Sequence, residues 1–289
     1  MIRSWIEAMR LRTLPVSVAG VIAGTGCAIM LESFKAVPAL TCLAFAVLAQ
    51  IAANFGNEYY DFKNGIDRKG RAGFRRGVTE GEIDPKSMKR ATFAVLALAA
   101  AVGCTMLFYG PWWLVVVGVL IMIFALAYSA GPYPLSHHGL GDLAVVVFFG
   151  IIPVTLTCFL QTGGMEGMNI IIPTSVAVGL LAANVLVVNN YRDMDDDAAV
   201  GKRTTVVIFG RRFMSLAYLL SGVAGMAEAQ ADYGSSTQPA SGQDCCQSSG
   251  LLAALHIGFT ACLRKPLINT ESYLASHPIC GMPSTHQNA

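Results

Sequence analysis

Residues 169–202 read NIIIPTSVAVGLLAANVLVVNNYRDMDDDAAVGK: about twenty mostly apolar positions that run straight into four aspartates within five residues. At about 1.5 Å of rise per residue, such a run matches the roughly 30 Å of hydrocarbon in a bilayer. The stretch therefore decides the fold, because it reads as a membrane-crossing helix with charge gathered at one end. On a continuous helix Asn189, Asp193, Asp196 and Asp197 recur at spacings of three and four and share one face. Carboxylates that close repel one another unless a cation sits among them, and a hard divalent metal such as Mg2+ suits an all-oxygen face. A solvated acidic loop ending an apolar helix would carry the same letters, so the stretch needs a partner elsewhere.

The rest of the chain shares its character. Of 289 residues, 54% are hydrophobic and only 13% charged, and mean hydropathy is +0.54, against about 25% charged residues in soluble domains. The expected fold is all-α, a polytopic transmembrane bundle. Six apolar segments approach or reach spanning length: 14–31, 37–57, 91–108, 112–130, 143–161 and 169–189. A seventh, 213–227, is short. Met1–Thr13, with Arg3, Arg10 and Arg12 around Trp5, Ile6 and Met9, reads as an interfacial amphipathic helix. A cleavable signal peptide is disfavoured by the spans that follow and by a poor cleavage context. The eight cysteines show no CxxC pair, so no zinc site or disulfide framework is expected.

Cations fix an orientation. Of the 20 Lys/Arg, 17 fall in the N-terminal arm, in 60–90 and in 191–212, which alternating spans place on one side. By the positive-inside rule that side is cytoplasmic, in a cell inner membrane. Topology signals and contacts to membrane lipids explain basic loops on their own. They do not explain why ten of the 18 acids fall in 58–90 and 191–212.

The partner of the opening stretch is Asn57–Asp67, NEYYDFKNGID. Asn57 and Asp61 stand one turn apart on a helix end, and Asp67 follows beyond Gly65, where the helix should break. Two carboxylate faces at one membrane boundary, each trailed by cations such as Arg76, Lys202 and Arg203, suit a diphosphate held by Mg2+. The boundary position suggests that the other end of the ligand is lipid. Nothing points to nucleic acid.

These residues carry a resemblance. NEYYD and RDMDDD followed by GKRT are similar to the two acidic motifs of the membrane-embedded UbiA-type aromatic prenyltransferases. MRLRTLPVSVAG, NGIDRKGRAGFRRGV, YSAGPYPLSHHGLGDL and FFGIIPV resemble the branch that acts on 1,4-dihydroxy-2-naphthoate for menaquinone. The resemblance covers about residues 5–213. It implies Mg2+-dependent transfer of a polyprenyl group from its diphosphate to an aromatic acid, with the substituted ring carbon losing CO2. It implies metal-binding roles for Asn57, Asp61 and Asp67 and for Asp193, Asp196 and Asp197. Asp61, Asp193, Asp197 and Lys202 would be catalytic, with Arg76, Lys202 and Arg203 near the diphosphate.

Further substrate-binding candidates are Asn54 and Asn189, which lie one turn from motif residues, and, in the third loop on this side, Tyr128, Tyr133 and Asp142 with His137 and His138. Tyrosines and histidines are common at membrane interfaces without such a role. Glu58 stands where the family has aspartate and is read as preserving the charge; Phe74 and Gly77 replace proline and alanine. Alternatives are a related transferase using 4-hydroxybenzoate or haem, and a membrane cation transporter. A transporter would place its acids at mid-span rather than at helix ends.

Residues 1–227 are expected to form the membrane domain. From Met226 the chain turns polar (MAEAQADYGSSTQPASGQDCCQSSG), and 228–289 lack the periodicity of the two further helices expected from a family of about nine spans. A disrupted reading frame near residue 227 would account for this.

Overall fold

The computed structural model describes residues 2–69 and 75–236, all of it helix, turn and loop with no strand. The helices are α1 (Ile2–Met9), α2 (Leu14–Met30), α3 (Ala36–Lys63), α4 (Pro85–Thr105), α5 (Trp113–Ala127), α6 (Gly141–Thr162), α7 (Met168–Arg192), α8 (Met194–Ala199) and α9 (Thr205–Ser236). Among the described residues six segments are long and apolar enough to cross a membrane, five of them where the sequence places its spans: α1 continued by α2, α3, α4 with its terminal turn, α6, α7 and, in place of 112–130, α9.

Two expectations change places. The segment 112–130 condenses to a 15-residue helix, α5, because Ser129 and Ala130 already turn back to the Leu126 carbonyl. The short seventh segment instead starts earlier, at Thr205, and bends at Gly210 (φ 81°, ψ 161°). The charges that hide its length in the sequence find partners at the bundle end. Arg211 pairs with Asp195 at 2.9 Å and lies over the Tyr191 ring. This helix also passes Ala227, the expected boundary of the membrane domain, and continues to Ser236. Residues 237–289, the greater part of the expected atypical tail, lie outside the described residues.

Small residues set the packing, as close helix approach in lipid requires. A Cβ on Gly20 of α2 would sit 2.6 Å from the Phe149 carbonyl oxygen of α6. That oxygen precedes Pro153 by four residues, the carbonyl that a proline ring displaces and leaves without its helical donor. The α6 backbone absorbs the misfit in a wide π turn over Val146–Ile151. On the other side of α6, a Cβ on Gly150 would meet Gly179 N and Ser175 O of α7 at 2.5 Å. Asn184 of α7 then holds α9, donating to the Tyr218 carbonyl (3.1 Å) and accepting from Ser221 (2.7 Å).

The amphipathic α1 packs its Trp5, Ala8 and Met9 face on Phe55 of α3 and on Val78, Ile83 and Met88. Chain breaks then place the charged residues. Helix α3 ends as expected before Gly65 (φ 70°), with the Ile66 N–H bonded back to the Asp61 carbonyl at 2.9 Å. Helix α4 opens on Asp84, whose carboxylate accepts the Ser87 N–H, with Pro85 at its first position.

The Gly150–Gly179 contact makes a prediction. In Gly150→Leu, backbone must move apart, so the melting midpoint in detergent should fall by roughly 5–10 °C, on an overpacking cost of about 3 kcal/mol. An unchanged midpoint contradicts this packing.

Candidate active site

One cavity of about 390 Å³ runs through the bundle, within the usual range for ligand sites. One end is polar, with Arg10, Asn57, Asp61, Arg76, Asp193 and Lys202 in its wall. The opposite end is lined by the buried Val21, Cys42, Leu114 and Leu160. Between them Phe45, Phe124, Phe148 and Phe149 line an apolar shaft.

The polar end is assembled from three chain breaks. The first is Arg10, a non-glycine residue in the left-handed region (φ 51°, ψ 56°) between α1 and the turn that starts α2. This conformation costs of order 1 kcal/mol or more and persists only where surroundings enforce it. Here it sends the guanidinium inward, where it donates to the Asn57 side-chain oxygen at 3.1 Å within electrostatic reach of Asp61, Glu58 and Asp67. Asn54 braces the break by donating to the Met9 carbonyl (2.9 Å) and to Thr13 (3.3 Å). The amide of this substrate-binding candidate is thus engaged within the protein.

The second break follows α3. Asp61, only 4% exposed, stands in the wall, and Asp67 lies beneath Arg76 at 3.2 Å, so the arginine is held where it lines the cavity. Glu58 does not extend this acidic wall. It is fully buried and accepts the Val78 N–H at 3.0 Å, which pins the loop that carries Arg76.

The third break corrects the single helix face expected for Asn189–Asp197. Helix α7 ends at Arg192, and Asp193 (φ −91°, ψ 6°) is the joint to α8. Backbone bonds Asp193 N to Asn189 O (3.0 Å) and Asp197 N to Asp193 O (2.8 Å) keep those three in line. Asn189 and Asp193 line the cavity, while Asp197 lies fully buried beneath Lys202 at 3.4 Å. Asp196 faces solvent. Arg192, which the sequence reading passed over, lines the cavity and grips both oxygens of Asp193 at 2.6 and 2.9 Å.

The loop 128–142 closes this end. It is pinned to the chain between α8 and α9, since the Arg203 N–H donates to the His137 carbonyl at 3.0 Å and Thr205 donates to Asp142. Arg203 itself lies off the cavity wall. Tyr128 reaches the wall; burial first, then Asp142 and Asp61, push its phenol upward, so it stays a protonated donor. Tyr133 is 59% exposed and stacks on His138, with ring centroids 3.5 Å apart. The His137 ring is pushed down to about 4, chiefly by burial and then by Lys202 and His138, and is neutral at pH 7.

The donor set fits a divalent cation. Six carboxylates (Glu58, Asp61, Asp67, Asp142, Asp193, Asp197) surround four cations (Arg10, Arg76, Arg192, Lys202) at this end, and the wall presents hard oxygens from Asn57, Asp61 and Asp193. Among the described residues no three acidic, histidine or cysteine side chains stand close enough together to hold a metal ion by themselves. Any divalent cation at this end would need phosphate oxygens and water to complete its coordination.

The fold and the site define an integral membrane protein built around a cavity for an amphiphile, charged at one end and apolar along its length. The model of the UbiA prenyltransferase family matches residues 14–240. The 1,4-dihydroxy-2-naphthoate octaprenyltransferase of Escherichia coli (strain K12) is 37% identical over 217 residues, 72% of this chain and 69% of its own length. The enzyme of the same name from Mycobacterium tuberculosis is 36% identical over 223 residues, covering 77% and 75%. A solved UbiA homolog from Archaeoglobus fulgidus, bound to GPP and Mg2+, superposes with a TM-score of 0.65 over 89% of this chain and 86% of its own, at 15% identity. That last likeness shows the fold alone. The chain belongs to the UbiA prenyltransferase family.

The His137 environment gives a pH dependence. Its folded value lies below the ordinary 6.5, so the unfolded chain takes up this proton first on acidification. The stabilisation is complete above about 6.5 and is lost as the pH falls toward 4. Melting midpoints between pH 7.5 and 5 should fall less steeply in His137→Gln than in the wild type. Parallel slopes contradict the assignment.

Proposed function

We propose that this chain transfers a polyprenyl group from its diphosphate to 1,4-dihydroxy-2-naphthoate, with loss of CO2, at the cytoplasmic face of a cell inner membrane. The observation that carries the reading is one cavity joining a polar end of clustered acids and cations to an aromatic and aliphatic shaft. A prenyl diphosphate has that shape and that distribution of charge. The names of the curated relatives supply the aromatic acid. The cation excess of the N-terminal arm and of residues 60–90 and 191–212 supplies the sidedness.

In this reading Asp61 and Asp193, with Asn57, would hold Mg2+, and the buried Asp67 and Asp197 support the site through Arg76 and Lys202, whereas Asp196 is turned away from it. Bound there, the metal would neutralise charge on the diphosphate. Arg10, Arg76 and Lys202 are aimed at the same group, where negative charge grows as the allylic C–O bond breaks. Asp67 and Asp197 hold two of these cations in position. The carbocation would form below them, where Phe124, Phe148 and Phe149 line the apolar shaft. The ring carbon bearing the carboxylate attacks it. The C–COO− bond then breaks with its electron pair returning to the ring, so CO2 leaves and aromaticity is restored without removal of a proton.

No general base is therefore needed. This agrees with a Tyr128 phenol that stays protonated and a His137 that lies off the cavity wall. Tyr128 and Asn189, both in the cavity wall, are left to orient the aromatic acid.

The test uses membranes containing the full chain, a polyprenyl diphosphate, Mg2+ and dihydroxynaphthoate labelled in its carboxylate. The expected result is one CO2 released per prenylated product, with kcat/KM lower by roughly 100-fold or more in Asp193→Ala. Product formation independent of Asp193 overturns the site, and prenylation with retention of the carboxylate overturns the reaction.

A further inference from the structure

Helix α5 presents Leu114, Gly118, Met122 and Ala125 to the cavity at helical spacing. Of the two glycines in the cavity wall, Gly103 is accounted for by packing, since a Cβ there would press on the Phe45 ring at 3.2 Å. Gly118 is not. A Cβ added to it meets nothing within 4 Å, and its backbone is ordinary helix rather than left-handed. Glycine within a helix costs about 1 kcal/mol relative to alanine, and neither conformation nor a neighbouring helix asks for it here. The space in front of Gly118 is cavity.

Resting on the prenyl-transfer reading above, we propose that Gly118 keeps the shaft open for the third isoprene unit of the prenyl chain and so determines which chain lengths are accepted. The ruler is the helix itself. Tyr128 stands at the polar end, ten residues from Gly118, or about 15 Å at 1.5 Å per residue. An extended isoprene unit spans four carbon–carbon bonds, roughly 5 Å. A two-unit chain stops short of Gly118, a three-unit chain reaches it, and longer chains pass it toward Leu114.

The full chain in membranes is assayed with the C10, C15 and C20 prenyl diphosphates, Mg2+ and dihydroxynaphthoate, comparing wild type with Gly118→Leu and Gly118→Ala. In Gly118→Leu, kcat/KM for the C20 substrate should fall tenfold or more, chiefly through KM. The C10 substrate should change by less than about threefold and C15 should fall between. Gly118→Ala should lie near wild type at every length. Equal losses at all three lengths, or none at C20, overturn the proposal. So does a Gly118→Leu chain that fails to fold, because the space would then not be open. A wild type inactive with every prenyl diphosphate overturns the underlying function instead, which separates the two failures.

Discussion

A carboxylate carried into a membrane helix bundle must meet a cation or a hydrogen-bond donor, because no water is present to solvate it. This constraint organises the polar end of the molecule. Asp67 is covered by Arg76, Asp197 by Lys202, Glu58 takes a backbone N–H, and Asp142 takes a hydroxyl. The pairing acts in both directions, since each buried acid also fixes its cation. Arg76 and Lys202 are held at the cavity wall instead of extending to solvent as long side chains otherwise do. The result is a preorganised ring of charge, the arrangement that stabilises a departing diphosphate without reorganisation at the moment of reaction.

Chain breaks make this arrangement possible. Straight helices would carry their acids past the bundle end into water. The left-handed Arg10, the turn at Gly65 and the joint at Asp193 each bend the chain so that charge points back toward the axis. The apolar half follows the opposite logic. Gly20, Gly150 and Gly179 let α2, α6 and α7 approach closely, while α5 packs on α3 and α4 and leaves the shaft between. A rigid wall on one side and an open one on the other suit a substrate with a fixed head and a long tail.

Much of this was legible in the sequence. Run length and hydropathy located five of the six spans found among the described residues, and i, i+4 spacing placed Asn57 with Asp61 and Asn189 with Asp193, because helix geometry is local. What depended on a break was not legible. Asp196 shares the expected helical face but turns outward because α7 stops at Arg192. Arg10 is indistinguishable by pattern from Arg3 and Arg12, and only its left-handed turn brings it into the cavity. Arg192 was passed over because a cation beside four aspartates reads as a topology signal. Glu58 looked like a member of the acidic motif, yet its burial against Val78 makes it a loop pin. Tyr133 carried the right chemistry but stacks on His138 at the surface.

The central claim is that Asp61 and Asp193, on separate helices, act on one diphosphate. A double-mutant cycle on the binding of a non-hydrolysable prenyl thiolodiphosphate with Mg2+ tests it directly, using Asp61→Asn, Asp193→Asn and the double variant. A shared ligand predicts that the two losses are strongly non-additive, with a coupling of about 1 kcal/mol or more. Losses that add to within about 0.3 kcal/mol would mean that the carboxylates act independently, and would contradict the two-sided site.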